Sequence, residues 1–220
     1  TNNDGIICNG TSVTLIANPT SGMNYSWAAP INATGNNKSV SPSSTTSFDV
    51  TVTNSTSACS ASTSSSVTVN PLPSPTISFT ETSGTTDDDG IICNGASVTL
   101  TANPTSGMTY SWAAPISASG NDKVVSPSST TSYTVTVTNS TTNCFASVSA
   151  SVIVNPLPTN ISPTGTATIC AGNSTNISIA GSQSGVSYQL RNNADNSNVG
   201  SAVAGTGGTI NLSSGSLTST

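Results

Sequence analysis

The chain has 220 residues, a net charge of −5, only 5% charged residues and no histidine. Its three cations, Lys38, Lys123 and Arg191, are too few to neutralise a phosphate backbone, which excludes nucleic-acid binding. The lack of histidine excludes Ser-His-Asp and Cys-His catalysis. The sequence contains no run of 18 apolar residues, which is the length that a membrane-spanning helix needs.

From the N-terminus onward, apolar residues alternate with Ser and Thr in short runs that Pro, Gly and Asn bound. This period of two is typical of strands with one buried face, and no helical period occurs. The clearest runs are Val13/Leu15, Phe48/Val50/Val52, Val67/Val69, Val98/Leu100, Tyr133/Val135/Val137 and Val152/Val154. Many short strands separated by turns predict an all-β fold of immunoglobulin-like sandwiches.

Trp27 follows the first strong strand and its turn, within Tyr25-Ser26-Trp27, and Trp112 has the same setting. A tryptophan on a central strand usually fills the core of such a sandwich, so we predict that both are core residues. An exposed platform on which a sugar ring stacks is the functional alternative.

The sequence repeats with a shift of 85 residues, which carries Ile6–Gly10 onto Ile91–Gly95 and Trp27 onto Trp112. A regular period predicts a tandem array, here with domains 1–73, 74–158 and an incomplete 159–220. The proline-rich segments 70–75 and 155–158 predict semi-rigid links between the domains. The array is therefore expected to be elongated, to begin within a repeat and to continue past Thr220.

Cys8 and Cys59 are 51 residues apart, and so are Cys93 and Cys144. Two thiols per repeat cannot complete a zinc site without histidine, so the spacing predicts one disulfide within each repeat. Cys170 matches the first cysteine of each pair, and its partner is expected beyond Thr220. Disulfides imply an oxidising compartment, and a bridge between neighbouring chains stays open as an alternative.

The one cluster of charges is a segment in which Glu81 is followed by Asp87, Asp88 and Asp89. Adjacent carboxylates repel each other, and a calcium ion at the repeat junction would relieve that repulsion. The alternative is a solvated acidic turn, because the spaced pattern of a calcium loop is missing. No other cofactor is predicted.

Residues 76–80, Thr-Ile-Ser-Phe-Thr, precede the acidic segment of the second repeat and have no counterpart in the first. A strand for the first repeat could come from a preceding repeat or from another molecule, unless the difference reflects only where the chain starts. An unpaired strand edge can accept such a strand. Copies of the chain could therefore associate in a fibre.

Asparagine sequons occur throughout the chain. They are compatible with glycosylation of the polar surface but do not favour particular sites. They lie at Asn9, Asn24, Asn32, Asn37, Asn54, Asn139, Asn160, Asn173, Asn176 and Asn211.

Over nearly its whole length the chain resembles the Ig-like (PKD-like) repeats of very large surface proteins of Bacteroidetes. The resemblance lies in Ile-Cys-Asn-Gly-x-Ser-Val-Thr-Leu, Tyr-Ser-Trp, Ser-Pro-Ser-Ser-Thr-Thr-Ser and the closing Asn-Pro-Leu-Pro. It implies secretion, commonly by the type IX system, and a role in adhesins, filaments or stalks without catalytic residues.

The sequence thus predicts a non-enzymatic, structural or adhesive segment of an extracellular or cell-surface protein, whose partners are neighbouring repeats, copies of itself or surface glycans. The alternative is an array of carbohydrate-binding modules attached to a secreted enzyme.

Overall fold

The computed structural model describes residues 4–19, 21–81, 88–165 and 168–217. These residues form nineteen strands and two compact units, Thr1–Asn155 and Pro156–Thr220. The described part of the chain has no helix that is long and apolar enough to cross a membrane. The first unit contains both 85-residue repeats, each with its own core, so the boundaries of the three predicted domains stay a prediction.

The first repeat, hereafter repeat 1, is a two-sheet sandwich of seven strands. Its sheets have the orders β1-β7-β6-β3-β4 and β2-β5. The strands are β1 (Ile6–Cys8), β2 (Val13–Ile16), β3 (Met23–Trp27), β4 (Ala33–Thr34), β5 (Asn37–Val40), β6 (Thr46–Asn54) and β7 (Ser60–Asn70).

The second repeat, repeat 2, has the same arrangement with one strand more. Its sheets have the orders β12-β11-β14-β15-β9 and β13-β10-β8, and the additional strand is β8. The strands are β8 (Thr76–Glu81), β9 (Ile91–Cys93), β10 (Val98–Asn103), β11 (Met108–Trp112), β12 (Ala118–Ser119), β13 (Asp122–Val125), β14 (Thr131–Asn139) and β15 (Phe145–Asn155).

The alternation in the sequence produces the two cores directly. Along β14, Tyr133, Val135 and Val137 point inward and are almost fully buried. Trp112 is 2% exposed and Trp27 is 5% exposed, and each indole N–H donates a hydrogen bond to a glycine carbonyl. The tryptophans therefore fill the cores, with their single polar group satisfied, as a buried indole requires.

The outward faces of the same strands carry hydroxyl pairs instead of ion pairs. Thr134 and Ser149 lie 2.7 Å apart across β14 and β15, and Thr136 and Ser147 lie 2.8 Å apart. In repeat 1 Thr51 makes the same cross-strand contact. Hydrogen-bonded hydroxyl pairs of this kind each stabilise a sheet by roughly 0.2–1 kcal/mol.

The second unit has a smaller core, built on Ile179, Ile210 and Leu212. Its strands form two pairs, β16 with β19 and β17 with β18. They are β16 (Asn176–Ile179), β17 (Ser187–Arg191), β18 (Asn198–Ala204) and β19 (Ile210–Ser213). All described strands in both units therefore bear out the all-β class, and each of the first two repeats is an Ig-like sandwich.

The two repeats offer a matched test of core packing. Leu100 is fully buried, whereas its equivalent Leu15 is 9% exposed beside the uncovered edge of β2. We expect Leu100→Ala to lower the free energy of unfolding of repeat 2 by about 2–5 kcal/mol, and Leu15→Ala to cost repeat 1 less, because water can enter the space that it leaves.

Guanidinium unfolding under reducing conditions, followed by tryptophan fluorescence, measures the two losses in the free energy of unfolding. In a Trp112→Phe background the fluorescence of Trp27 reports on repeat 1. In a Trp27→Phe background the fluorescence of Trp112 reports on repeat 2. Equal losses in the two repeats would contradict the expectation.

Candidate functional site

The first cysteine of each repeat lies where the last strand of that repeat ends. β1 pairs in parallel with the final residues of β7, so that Cys8 lies opposite Asn70. β9 pairs with β15 in the same way, with Cys93 opposite Asn155. The Asn9 amide fixes this end by donating a hydrogen bond of 2.9 Å to the Asn70 carbonyl.

The second cysteine lies at the opposite end of the sandwich, in the turn before the last strand. Cys59 immediately precedes β7, which then runs for eleven residues to Asn70. At about 3.3 Å per residue, that strand puts about 36 Å between Cys59 and Cys8. A disulfide needs Cα atoms within about 7 Å, so the predicted pairing of Cys8 with Cys59, and of Cys93 with Cys144, is wrong.

The structure instead joins the two repeats to each other. Cys8 forms a disulfide with Cys144, with a Cα–Cα distance of 5.5 Å and a sequence separation of 136 residues. Closing a loop of this length stabilises the folded state by about 5 kcal/mol in the chain-entropy model. The remaining cysteines, Cys59, Cys93 and Cys170, are unpaired and exposed, and the partner expected for Cys170 stays a prediction.

Local turn chemistry presents Cys144 to the neighbouring repeat. The Asn139 side-chain oxygen accepts hydrogen bonds from the amides of Thr141 and Thr142, and Asn143 has the left-handed backbone that asparagine tolerates. Asn54 holds the equivalent turn of repeat 1 in the same way. The two sequon asparagines thus have a structural role in their turns.

Burial distinguishes the two equivalent turns. Cys144 is 0% exposed, while Cys59, at the same position of repeat 1, is exposed. Both turns have the same fold, so the difference comes from what lies against them rather than from their own sequence. The site is therefore the junction itself, formed by the end of β1 and the turn between β14 and β15.

The described part of the acidic segment uses its carboxylates in backbone turns. Asp89 accepts a hydrogen bond of 2.9 Å from the Ile91 amide, Asp88 accepts one from Glu81, and the Glu81 carboxylate accepts one from Gly90. Asp87 lies outside the described residues. The described residues contain no group of three metal-ligating side chains, and the calcium site stays a prediction.

Little in the described residues suits acid–base chemistry. Burial raises the pKa of the Tyr133 phenol, while backbone and side-chain hydrogen bonds from Ser197 hold the pKa of Asp195 below its usual value. A cleft of about 520 Å³ in repeat 1 is lined mostly by serine, proline and aliphatic residues, with Lys38 as its charged group. No pair of carboxylates faces that cleft, as glycoside hydrolysis would require.

The aromatic side chains that were candidates for sugar stacking lie inside. Tyr25 is 7% exposed, both tryptophans are buried, and Tyr110 is half-buried with its hydroxyl donating to the Pro104 carbonyl. Phe145 is exposed, but it stands apart from these rings on the outer face of β15. The described residues therefore present no row of aromatic rings.

No protein-family model matches the chain, and no curated protein matches its sequence. Three solved structures of Ig-like proteins are similar to it. The three N-terminal domains of the Highly Immunogenic Outer Capsid protein (Hoc) of bacteriophage RB49 are 18% identical, with a TM-score of 0.40, over 97% of this chain and 84% of that one.

Immunoglobulin domains 1–4 of Sidekick-1 are 12% identical, with a TM-score of 0.26, over 80% of this chain and 55% of that one. A Dscam structure that concerns isoform specificity is 17% identical, with a TM-score of 0.21, over 68% and 42%. These similarities are distant, and the sheets described above carry the assignment of the fold.

The disulfide pairing can be read by mass spectrometry of a non-reduced proteolytic digest. We expect a peptide pair linking Cys8 to Cys144, because only these two sulfurs meet. Cys59→Ser should leave this pair intact, and Cys144→Ser should abolish it. A Cys8–Cys59 or Cys93–Cys144 pair would contradict the geometry of β7 and β15.

Proposed function

We propose that this chain is a load-bearing, non-enzymatic segment of an extracellular surface protein or filament. The observation that carries the proposal is the Cys8–Cys144 disulfide, which ties one sandwich to the next across their junction. The function is mechanical, since the chain keeps the segments at its two ends apart and resists unfolding under tension.

The disulfide changes the path along which a stretching force is transmitted through the two repeats. Tension that enters ahead of β1 reaches Cys8 after a few residues and passes through the sulfur atoms to Cys144. It then leaves along β15 to Asn155. Strands β2 to β14 lie within the closed loop and carry none of this tension. Both cores are thereby shielded as long as the bond persists.

The same bond supports an oxidising compartment for the chain. Disulfides persist in oxidising surroundings, and cytosolic reductants would remove this one. The surface, poor in charge and rich in hydroxyls, gives few sites to proteases that cut at lysine or arginine. We assign the chain to the extracellular or cell-surface class, with neighbouring repeats or further copies as its partners.

The resemblance to Bacteroidetes surface repeats supports an adhesin, filament or stalk exported by the type IX route. Glycans on exposed sequons belong to the same proposal, and would add polar cover to a surface with few charges. The rival function, an array of carbohydrate-binding modules, finds no aromatic platform in the described residues.

Single-molecule force spectroscopy on the chain, held at its two ends, tests the mechanical function. In the oxidised chain the loop between Cys8 and Cys144 cannot open, so we expect it to extend on the order of 400 Å less than the reduced chain. Cys59→Ser should behave like the wild type, and Cys144→Ser like the reduced protein. Equal extension with and without reductant would rule out the load path.

A further inference from the structure

We propose that the cleft of about 520 Å³ in repeat 1 binds a sugar ring that carries a carboxylate, such as the uronic acid unit of a polysaccharide, with Lys38 as the partner of that carboxylate. The proposal goes beyond the load-bearing function and is independent of it, because the cleft takes no part in the disulfide. It also differs from an aromatic sugar platform, since it relies on charge and hydroxyl groups.

The cleft lies on the side of the sandwich where β5 is the edge strand. It is surrounded by residues 30–31 between β3 and β4, by residues 38–40 of β5 and by the turn 41–44 that leads to β6. Phe48 of β6, which is 3% exposed, forms its floor. In repeat 2 the equivalent edge strand, β13, and β8 flank β10 on opposite sides, so the cleft is remote from the position that β8 takes there. Its volume is in the range of about 300–1,000 Å³ that is typical of ligand pockets.

Lys38 reaches the cleft from the inward face of β5. It lies opposite Leu15 across the sheet, so that its aliphatic stem is on the core side, and the side chain is half-buried. Its ammonium ends beside Gly35, where a Cβ would lie 3.4 Å from Nζ. The Trp27 indole N–H holds this turn by donating a hydrogen bond of 2.8 Å to the Gly35 carbonyl. The core therefore fixes the position of the cation.

The same arrangement of the lysine recurs in repeat 2. Lys123 lies opposite Leu100, and its Nζ would be 3.2 Å from a Cβ on Gly120. The Gly120 carbonyl accepts the hydrogen bond of the Trp112 indole, as Gly35 does for Trp27. These two lysines are the only cationic side chains in residues 1–155. Because both take the same position, that position is set by the fold.

The Lys38 ammonium has neither an ion pair nor a hydrogen bond with the residues that the structure describes. None of the described residues that line the cleft carries a carboxylate. An ammonium has three N–H donors, and a hydrogen bond to a charged group contributes more than one between neutral groups. A half-buried cation whose donors are all unused by the protein is therefore available to an anionic ligand.

Serine hydroxyls surround this cation. Four exposed serines line the cleft, and their side chains make no hydrogen bond to the described part of the protein: Ser39, Ser41, Ser43 and Ser44. The Ala17 amide donates to the Asn36 carbonyl, so even-numbered residues of β5 turn their backbone to β2. The N–H and C=O of Ser39 therefore face the cleft. Hydroxyls both donate and accept, which suits a ligand that carries several hydroxyls of its own.

The apolar part of the cleft suits the C–H face of a sugar ring. Pro30, Ile31 and Pro42 lie around the ring of Phe48 and supply this surface. An extended peptide fits less well, because Ser39 is the single residue of β5 that both lines the cleft and turns its backbone to it. A compact ring with hydroxyls and one carboxylate therefore matches the cleft better than a peptide strand.

The equivalent residues of repeat 2 differ where the ligand would lie. Val124 replaces Ser39, and Tyr133 replaces Phe48 and brings a hydroxyl to the apolar floor. The hydroxyl of Ser126, in the turn, is already paired at 2.9 Å with another serine hydroxyl. We therefore expect repeat 1 to bind the sugar and repeat 2 to serve as an internal control.

Amide NMR titrations of the oxidised full chain at constant ionic strength measure the binding, with glucuronate, glucose and acetate as the probes. We expect glucuronate to shift the amide signals of Ser39, Ser41 and Ser43 and to leave those of Ser126 and Ser128 in place. Glucose lacks the carboxylate and acetate lacks the ring hydroxyls, so each should bind at least about tenfold more weakly.

Two variants test the residues that carry the proposal. Lys38→Gln, which removes the charge, should weaken glucuronate binding at least about tenfold, while Lys123→Gln, its matched control in repeat 2, should change it less than about twofold. The double variant Ser39→Val/Phe48→Tyr gives repeat 1 the residues with which repeat 2 folds, and it should also weaken binding.

No shift at the three serines of repeat 1, equal affinity for glucuronate and glucose, or unchanged affinity in Lys38→Gln overturns the proposal. Acetate that binds as tightly as glucuronate overturns the sugar as the ligand. If glucuronate does not bind and Lys38→Gln makes the chain self-associate, the lysine serves only to keep other strands from the edge of β5, and the proposal is wrong.

Discussion

The parallel pairing of β1 with the end of β7 is the constraint on which the rest of the structure depends. It places Cys8 at the end of the repeat where the chain leaves, while the turn that holds Cys59 lies a full strand length away at the other end. Each repeat therefore carries one cysteine at each end. Two cysteines placed in this way cannot meet within a repeat, but at the junction of the two repeats Cys8 of the first meets Cys144 of the second.

The sequence predicted the strands and the cores, because burial in a sheet depends on a period of two that can be read residue by residue. Val135 and Trp112 lie where that period puts them. The cysteine pairing could not be obtained from spacing, because a separation of 51 residues contains no information on strand direction. The missing step was topological: the first strand of such a sandwich pairs with the last in parallel, and this alone separates Cys8 from Cys59.

The near-identity of the two repeats acts as an internal control for the effect of surroundings. Leu15 and Leu100, or Cys59 and Cys144, have almost the same local sequence and different exposure. The neighbouring element differs in each case. Leu100 is covered by β8, and Cys144 is covered by repeat 1. The sequence indicates the extra strand but not its consequence for the core, since exposure of a side chain depends on contacts with residues far away in the chain.

The chain has few charged residues, and its structure is stabilised by a disulfide and by hydroxyl pairs instead of ion pairs. An exposed ion pair contributes little and weakens with salt and with pH. Cross-strand pairs such as Thr134 with Ser149 contribute a similar amount, and their hydroxyls do not titrate. With eight carboxylates and no histidine, few groups can couple protonation to unfolding. The sheets then owe their stability to apolar burial and hydroxyl pairs, and the junction to a disulfide, and none of these requires a pair of opposite charges.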